Sequence, residues 1–206
     1  VSLRVAGYMA SDVIVAHTGV AFDYTPASYT ESGITFADLS IRGSSASAPT
    51  NDDLIQVGNC TWMHFHRMRF RNTNGSCVRL MSQALHLGFD GCILESFAQY
   101  GIEVTALGSL LQLNRMQVNA NAVNGVALLG VLAQIGQLQC NLVNTNGNST
   151  LDSFILIGAS GDVITSSVNE CYAELMADSC VKASSTGLIR QSSIHGCNFS
   201  GNSMRN

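Results

Sequence analysis

The sequence predicts an all-β fold, a single-stranded parallel β-helix (a solenoid) of about six to seven coils. Three observations predict it. Short runs alternate strictly between apolar and polar residues, helical spacing is nowhere sustained beyond a couple of turns, and the chain resembles itself at a period of about two dozen residues. Alternation puts successive side chains on opposite faces of a strand. Short strands that recur without intervening helices cannot bury their apolar faces singly, so the coils must stack and share one core.

The units read in order. A weaker one, GITFADLSIRGSSASAPTNDD (33–53), comes first. LIQVGNCTWMHFHRMRFRNTNGSC (54–77), VRLMSQALHLGFDGCILESFAQYG (78–101) and IEVTALGSLLQLNRMQVNANAVNG (102–125) follow, each 24 residues long. The next are VALLGVLAQIGQLQCNLVNTNGNSTLDS (126–153), FILIGASGDVITSSVNECYAELMADSC (154–180) and VKASSTGLIRQSSIHGCNFSGNSMRN (181–206). Their excess length is placed in polar turns such as 144–153. Each unit opens on a short apolar strand, as at 78–80, 102–104 and 126–128. A small-residue turn, an alternating strand, a polar corner, a third short strand and an Asn/Gly turn complete it.

These registers predict inward columns. Phe65, Phe89 and Leu113 form the first. Met68, Cys92 and Met116 form the second, expected to continue through Leu138, Cys171 and Cys197. Phe70, Leu94 and Val118 form the third, expected to continue through Cys140, Ala173 and Phe199. Stacked side chains repeat at the inter-strand spacing of ~4.8 Å. Four of the seven cysteines fall in these columns, where a small apolar residue packs. The odd count and the absence of a C-x-x-C pair favour buried free thiols over a disulfide framework or a zinc site.

A net charge of −4 without a basic run argues against nucleic acid as a partner. No window of 18 uninterrupted apolar residues occurs, so no membrane insertion is expected. The start VSLRVAGYMASDVIVAHTGV has no basic n-region and no initiator Met, and the end NFSGNSMRN is abrupt. Residues 1–206 therefore read as a single β-helix domain, expected to be a piece of a longer protein.

GVAFDYTPASYTESGITFADLSIRG (19–43) joins a tight-turn glycine, an alternating strand and the phrase GITFADLSIRG. It resembles the opening coil of pectate-lyase-like right-handed β-helices, most of all bacteriophage tailspike domains. The general chirality rule for parallel crossovers gives the same hand. The resemblance implies a homotrimer on a virion tail, outside the cell, that recognises bacterial surface polysaccharide and cleaves it. Hydrolysis is favoured over elimination. The alternative is a non-catalytic structural or receptor-binding β-helix, an inactive spike or adhesin, secreted or at a cell surface. No cofactor is expected. The clustered aspartates of a calcium-dependent lyase are missing, and Asp52-Asp53 reads as a loop rather than a metal site.

Outward residues one period apart become neighbours. Trp62, His86 and Leu110 make one such column. His66, Asp90 and Asn114 make a corner column running on to Asn169 and His195. Arg71, Glu95, Asn119 and Asn141 run on to Glu174 and Ser200, and Arg67, Gly91, Arg115, Gln137 and Glu170 make a fourth. Glycoside hydrolysis needs two facing carboxyl groups. The candidate pairs are Asp90 with Glu95, and Glu170 with Glu174. Trp62, His64, His66, His86, Arg69, Arg71 and Tyr172 are the candidate substrate-binding residues, with Trp62 or Tyr172 stacking on a sugar face. A lyase would take its base from His64, His66 or Tyr172. The plain readings beside these are an Arg71–Glu95 surface ion pair, a His66–Asp90 hydrogen bond and turn-satisfying asparagines. Leu110, Ile93 and Leu142 hint at an apolar stripe for trimer assembly.

Overall fold

The computed structural model describes residues 20–43, 53–119, 125–146 and 151–200, with 3–6, 12–15 and Ser32 described by backbone alone. Asp52 lies outside the described residues. The strands form three parallel sheets wound as one right-handed β-solenoid. Sheet A stacks Leu3–Ala6, Thr30–Ala37, Cys60–His66, Ala84–Asp90, Gly108–Asn114, Gln134–Asn141, Asp162–Asn169 and Leu188–His195. Sheet B stacks Asp12–Val15, Ser40–Gly43, Arg69–Thr73, Ile93–Phe97, Gln117–Asn119, Asn144–Asn146, Tyr172–Glu174 and Asn198–Ser200. Sheet C stacks Phe22–Tyr24, Ile55–Val57, Val78–Leu80, Tyr100–Val104, Ala127–Val131, Ser153–Ile157 and Ser179–Ala183. The chain visits A, B and C in turn, and six complete triplets run from Thr30 to Ala183.

Alternation builds the core as expected. Met63, Phe65, Met68 and Phe70 are buried, while Trp62, His64, Arg69 and Arg71 point outward. Phe65 stacks between Phe36 (centroids 5.2 Å apart) and Phe89 (4.8 Å), a ladder of aromatic rings that contributes beyond its area burial. All seven cysteines are free; five are buried and two half-buried. Burial pushes the Cys92 thiol up to about 12 and the Cys171 and Cys180 thiols to about 11, so these sulfurs stay protonated and inert at neutral pH.

One coil departs from the sequence register. Ile102 pairs with Leu129, not Val126, and Asn114 pairs with Asn141. The extra residues of this coil therefore precede the strand Ala127–Val131 as well as following Asn146. The second inward column passes through Val143 instead of Leu138, because Asn144 N–H donates to Met116 and Tyr172 N–H to the Val143 carbonyl. The third column passes through Thr145 instead of Cys140. Leu138 and Cys140 are inward too, but on sheet A, where Cys140 continues the Phe65 column. The outward columns correct likewise: Asn146 replaces Asn141, and Leu142 replaces Gln137.

The turn from sheet A to sheet B is one residue in the left-handed backbone region in every described coil. Asp38, Arg67, Gly91, Arg115, Leu142, Glu170 and Gly196 hold it, with φ between 49° and 64°. Five of the seven carry a side chain there, a conformation costing about 1 kcal/mol relative to glycine. A backbone ladder holds them: each of these N–H groups from Asp38 to Glu170 donates to the last sheet A carbonyl of the following coil.

Candidate functional site

Sheet A presents the outward rings. Trp62 is 49 % exposed. It lies over Gly33 of the preceding coil, where an added Cβ would come within 2.9 Å of the indole Nε1. His64 lies over Gly88 in the same way, 2.9 Å from the position of a Cβ. Both glycines are gaps in the outer surface into which a ring settles. Edge-to-face contacts join Trp62 to His64 (5.5 Å) and His64 to His86 (4.7 Å). His86 Nε2 bonds Gln112 Oε1 at 2.8 Å, and Gln112 Nε2 donates to Gln139 Oε1 at 2.7 Å. Three rings and two amides thus form one continuous band across four strands. Burial, and then the neighbouring His86, hold the His64 imidazole below its ordinary value, so it is neutral at neutral pH. Its Nε2 has no hydrogen-bond partner among the described residues.

The corner and sheet B hold the charges. Asp90 Oδ1 accepts from Arg115 Nε (2.8 Å) and Oδ2 from Arg115 Nη2 (2.5 Å), and His66 Nδ1 lies 3.0 Å from the same Oδ2. The Arg115 guanidinium, with the smaller contribution of His66, holds the Asp90 carboxyl below the usual range against the opposing effect of burial. Asp90 is therefore fixed as a carboxylate, the wrong state for a general acid. Arg67 is bound to Asp38 at 2.6–2.7 Å. Glu95 bonds Arg69 (Nε 2.9 Å, Nη2 2.8 Å) rather than the expected Arg71. Arg71 is directly in register with Glu95, but Arg69 reaches it along the diagonal, a span open to long side chains.

The second acid pair lies towards the C-terminal coils. Glu170 occupies the left-handed corner, its Cγ beside Gly196 of the next coil. Glu174 Oε2 accepts the Tyr172 hydroxyl, and Glu174 Oε1 accepts from Asn146 Nδ2 at 3.3 Å. That bond to Glu174 raises the Tyr172 phenol above its ordinary value, opposite to what a tyrosine base needs. Leu110, Ile93 and Leu142 fall in three separate columns, on sheet A, sheet B and the corner, and do not form one stripe.

Sequence reasoning missed a buried ionic cluster on the outer side of sheet C. Asp53 is 0 % exposed. It accepts from Arg79 Nη1 (3.0 Å), Gln56 Nε2 (2.9 Å) and the Ser76 N–H (2.8 Å). Arg79 Nε also donates to Glu103 Oε2 (2.7 Å), which accepts from Ser76 Oγ (2.6 Å). The cluster clamps three consecutive coils and is closed to a substrate. Asp53 is thus part of a turn, as read, but it serves as a structural ligand for arginine. The 24-residue step from Arg79 to Glu103 was the signal that could have found it. Among the described residues no three His, Cys, Asp or Glu side chains gather as a metal ligand set.

No known protein family matches the chain, nor does any curated protein or solved structure. The class of protein is therefore defined by its fold, a parallel β-solenoid with a ring-bearing outer face.

Proposed function

We propose that this β-solenoid recognises surface polysaccharide on its outer sheet faces, as the binding part of a spike- or adhesin-like extracellular protein. Trp62 carries this reading. An exposed indole held in place by a glycine gap, flanked by imidazoles and an amide ladder, is a rigid stacking surface beside ready hydrogen-bonding groups. Such a surface suits the apolar face and hydroxyl edge of a pyranose. Placement on a bacteriophage tail and assembly into a homotrimer belong to the same proposal, supported by the resemblance of residues 19–43 to tailspike coils.

Binding without cleavage is the better-supported form. Asp90 is locked to Arg115, Glu95 to Arg69 and Glu174 to Tyr172, so three of the four candidate acids are committed to neighbours. The test is a panel of bacterial capsular and O-antigen polysaccharides, scored for binding and for new reducing ends. Binding that Trp62→Ala weakens on the order of tenfold, without new reducing ends, is the expected result. Failure to bind any member defeats the proposal, and reducing ends from a bound glycan would restore the hydrolytic reading.

A further inference from the structure

We infer that sheet A carries an extended site for an uncharged polysaccharide, laid along the solenoid axis from Trp62 towards Ser193, with Gln137 and Gln139 as its contacts beyond the rings. This deepens the recognition reading and rests on it. Two outward columns run side by side on this sheet, in register through six strands. One passes from Trp62 through His86, Leu110, Gln137 and Thr165 to Gln191. The other passes from His64 through Gly88, Gln112, Gln139 and Ser167 to Ser193. Five strand steps, about 24 Å, separate the first strand from the last, and the two columns stand two residues apart, ~7 Å.

Neither column holds an Asp, Glu, Lys or Arg. Charges lie on either margin, and they are paired: Asp90 with Arg115 at the corner, and Asp162 with Arg190 towards the start of the strands. His64 is held neutral by burial and by His86. An anionic glycan would have to bring its carboxylates onto a track with no cation in either column, against a chain of net charge −4. An uncharged glycan meets no such cost.

The polar groups along the track remain available. At the neighbouring corner, Asn141 Nδ2 donates to Asn114 Oδ1 and Asn169 Nδ2 to Asn141 Oδ1, both at 2.8 Å. That ladder uses its amides on itself. The glutamines do so only in part. Gln139 Oε1 accepts from Gln112, but Gln139 Nε2 has no partner among the described residues. The exposed Gln137 amide makes no hydrogen bond with the described residues on either of its atoms. An amide donates and accepts, and so does a sugar hydroxyl. Leu110, half-buried and one strand beyond His86, extends the apolar floor that Trp62 begins. The track is thus aromatic and apolar at one end and amide and hydroxyl at the other, and only a chain of sugars can use both.

The test takes size-graded oligosaccharides, from disaccharide upward, prepared from neutral and from uronate-bearing members of the same panel. Calorimetric affinities are compared for the parent chain, Trp62→Ala and the double variant Gln137→Ala, Gln139→Ala. Both glutamines point outward, and thermal unfolding checks that the double variant keeps the fold. The expected affinity for neutral chains rises with length until the glycan spans about 24 Å. The double variant should lose that gain, on the order of tenfold for long chains, and bind the shortest ones as the parent does. Trp62→Ala should weaken every length. Affinity that does not depend on length, or an unchanged double variant, overturns the extended site. So does equal or tighter binding of uronate-bearing chains of the same length. Each of these outcomes leaves recognition at Trp62 standing, whereas no binding by any member removes both readings.

Discussion

Arg79→Met is the most informative single change to the fold. It retains much of the aliphatic stem and removes the only cation in contact with Asp53 and Glu103 among the described residues. Asp53 is left with Gln56 and the Ser76 N–H, and Glu103 with the Ser76 hydroxyl. Two carboxylates then face each other's neighbourhood inside the sheet C surface with no positive charge between them. Breaking a buried ion pair by removing one partner costs about 3–5 kcal/mol. At roughly 2–4 °C per kcal/mol for a chain of this size, the melting temperature should fall by roughly 6–20 °C. Urea unfolding followed by circular dichroism and Trp62 emission measures the loss. The triple variant Asp53→Asn, Arg79→Met, Glu103→Gln should recover most of it, because neutral partners lack the buried charge. A loss below about 1 kcal/mol in Arg79→Met, or no recovery in the triple variant, would refute the claim that these charges are desolvated and mutually dependent.

Two further changes test other parts of the structure. The native Asp90 carboxyl lies below its unfolded value, so its stabilisation is full above the unfolded range near ~3.9 and is lost as pH falls through the native value. Asp90→Asn should therefore flatten the acid limb of a stability–pH profile while changing little near neutrality beyond a constant offset, and an unchanged acid limb counts against it. Gly33→Ala places a methyl group 2.9 Å from the Trp62 indole, which must swing away. A shifted Trp62 emission spectrum with a stability change within about 1 kcal/mol is expected, and an unchanged spectrum would mean that the glycine gap does not seat the ring.

The sequence made the solenoid legible because its inward residues repeat on a fixed count. Phe65, Phe89 and Leu113 stand 24 apart and pair directly. The coil from 126 failed for a physical reason. Leu138, Cys140, Val143 and Thr145 are all inward, on two sheets either side of a corner, and alternation alone does not say which sheet a residue joins. Only the left-handed residue marks the corner, and Leu142 gives no hint of that conformation in its chemistry. Columns named neighbours better than they named partners. His66 and Asp90 bond as adjacency suggests, whereas Glu95 selects Arg69 over Arg71 because side-chain reach along a diagonal is not written in the period. Asp53 escaped because a turn residue belongs to no column, and its burial depends on Arg79 folding over it.

The ladder of left-handed corners has a consequence for how such a chain can change. Backbone geometry at Asp38, Arg67, Arg115, Leu142 and Glu170 is imposed by the coils above and below, so the residue there is released from conformational duty. Each corner is then a mounting point with fixed spacing and free choice of side chain. Coils could be duplicated, deleted or re-decorated one unit at a time while the interior persists, and recognition could diversify far faster than architecture.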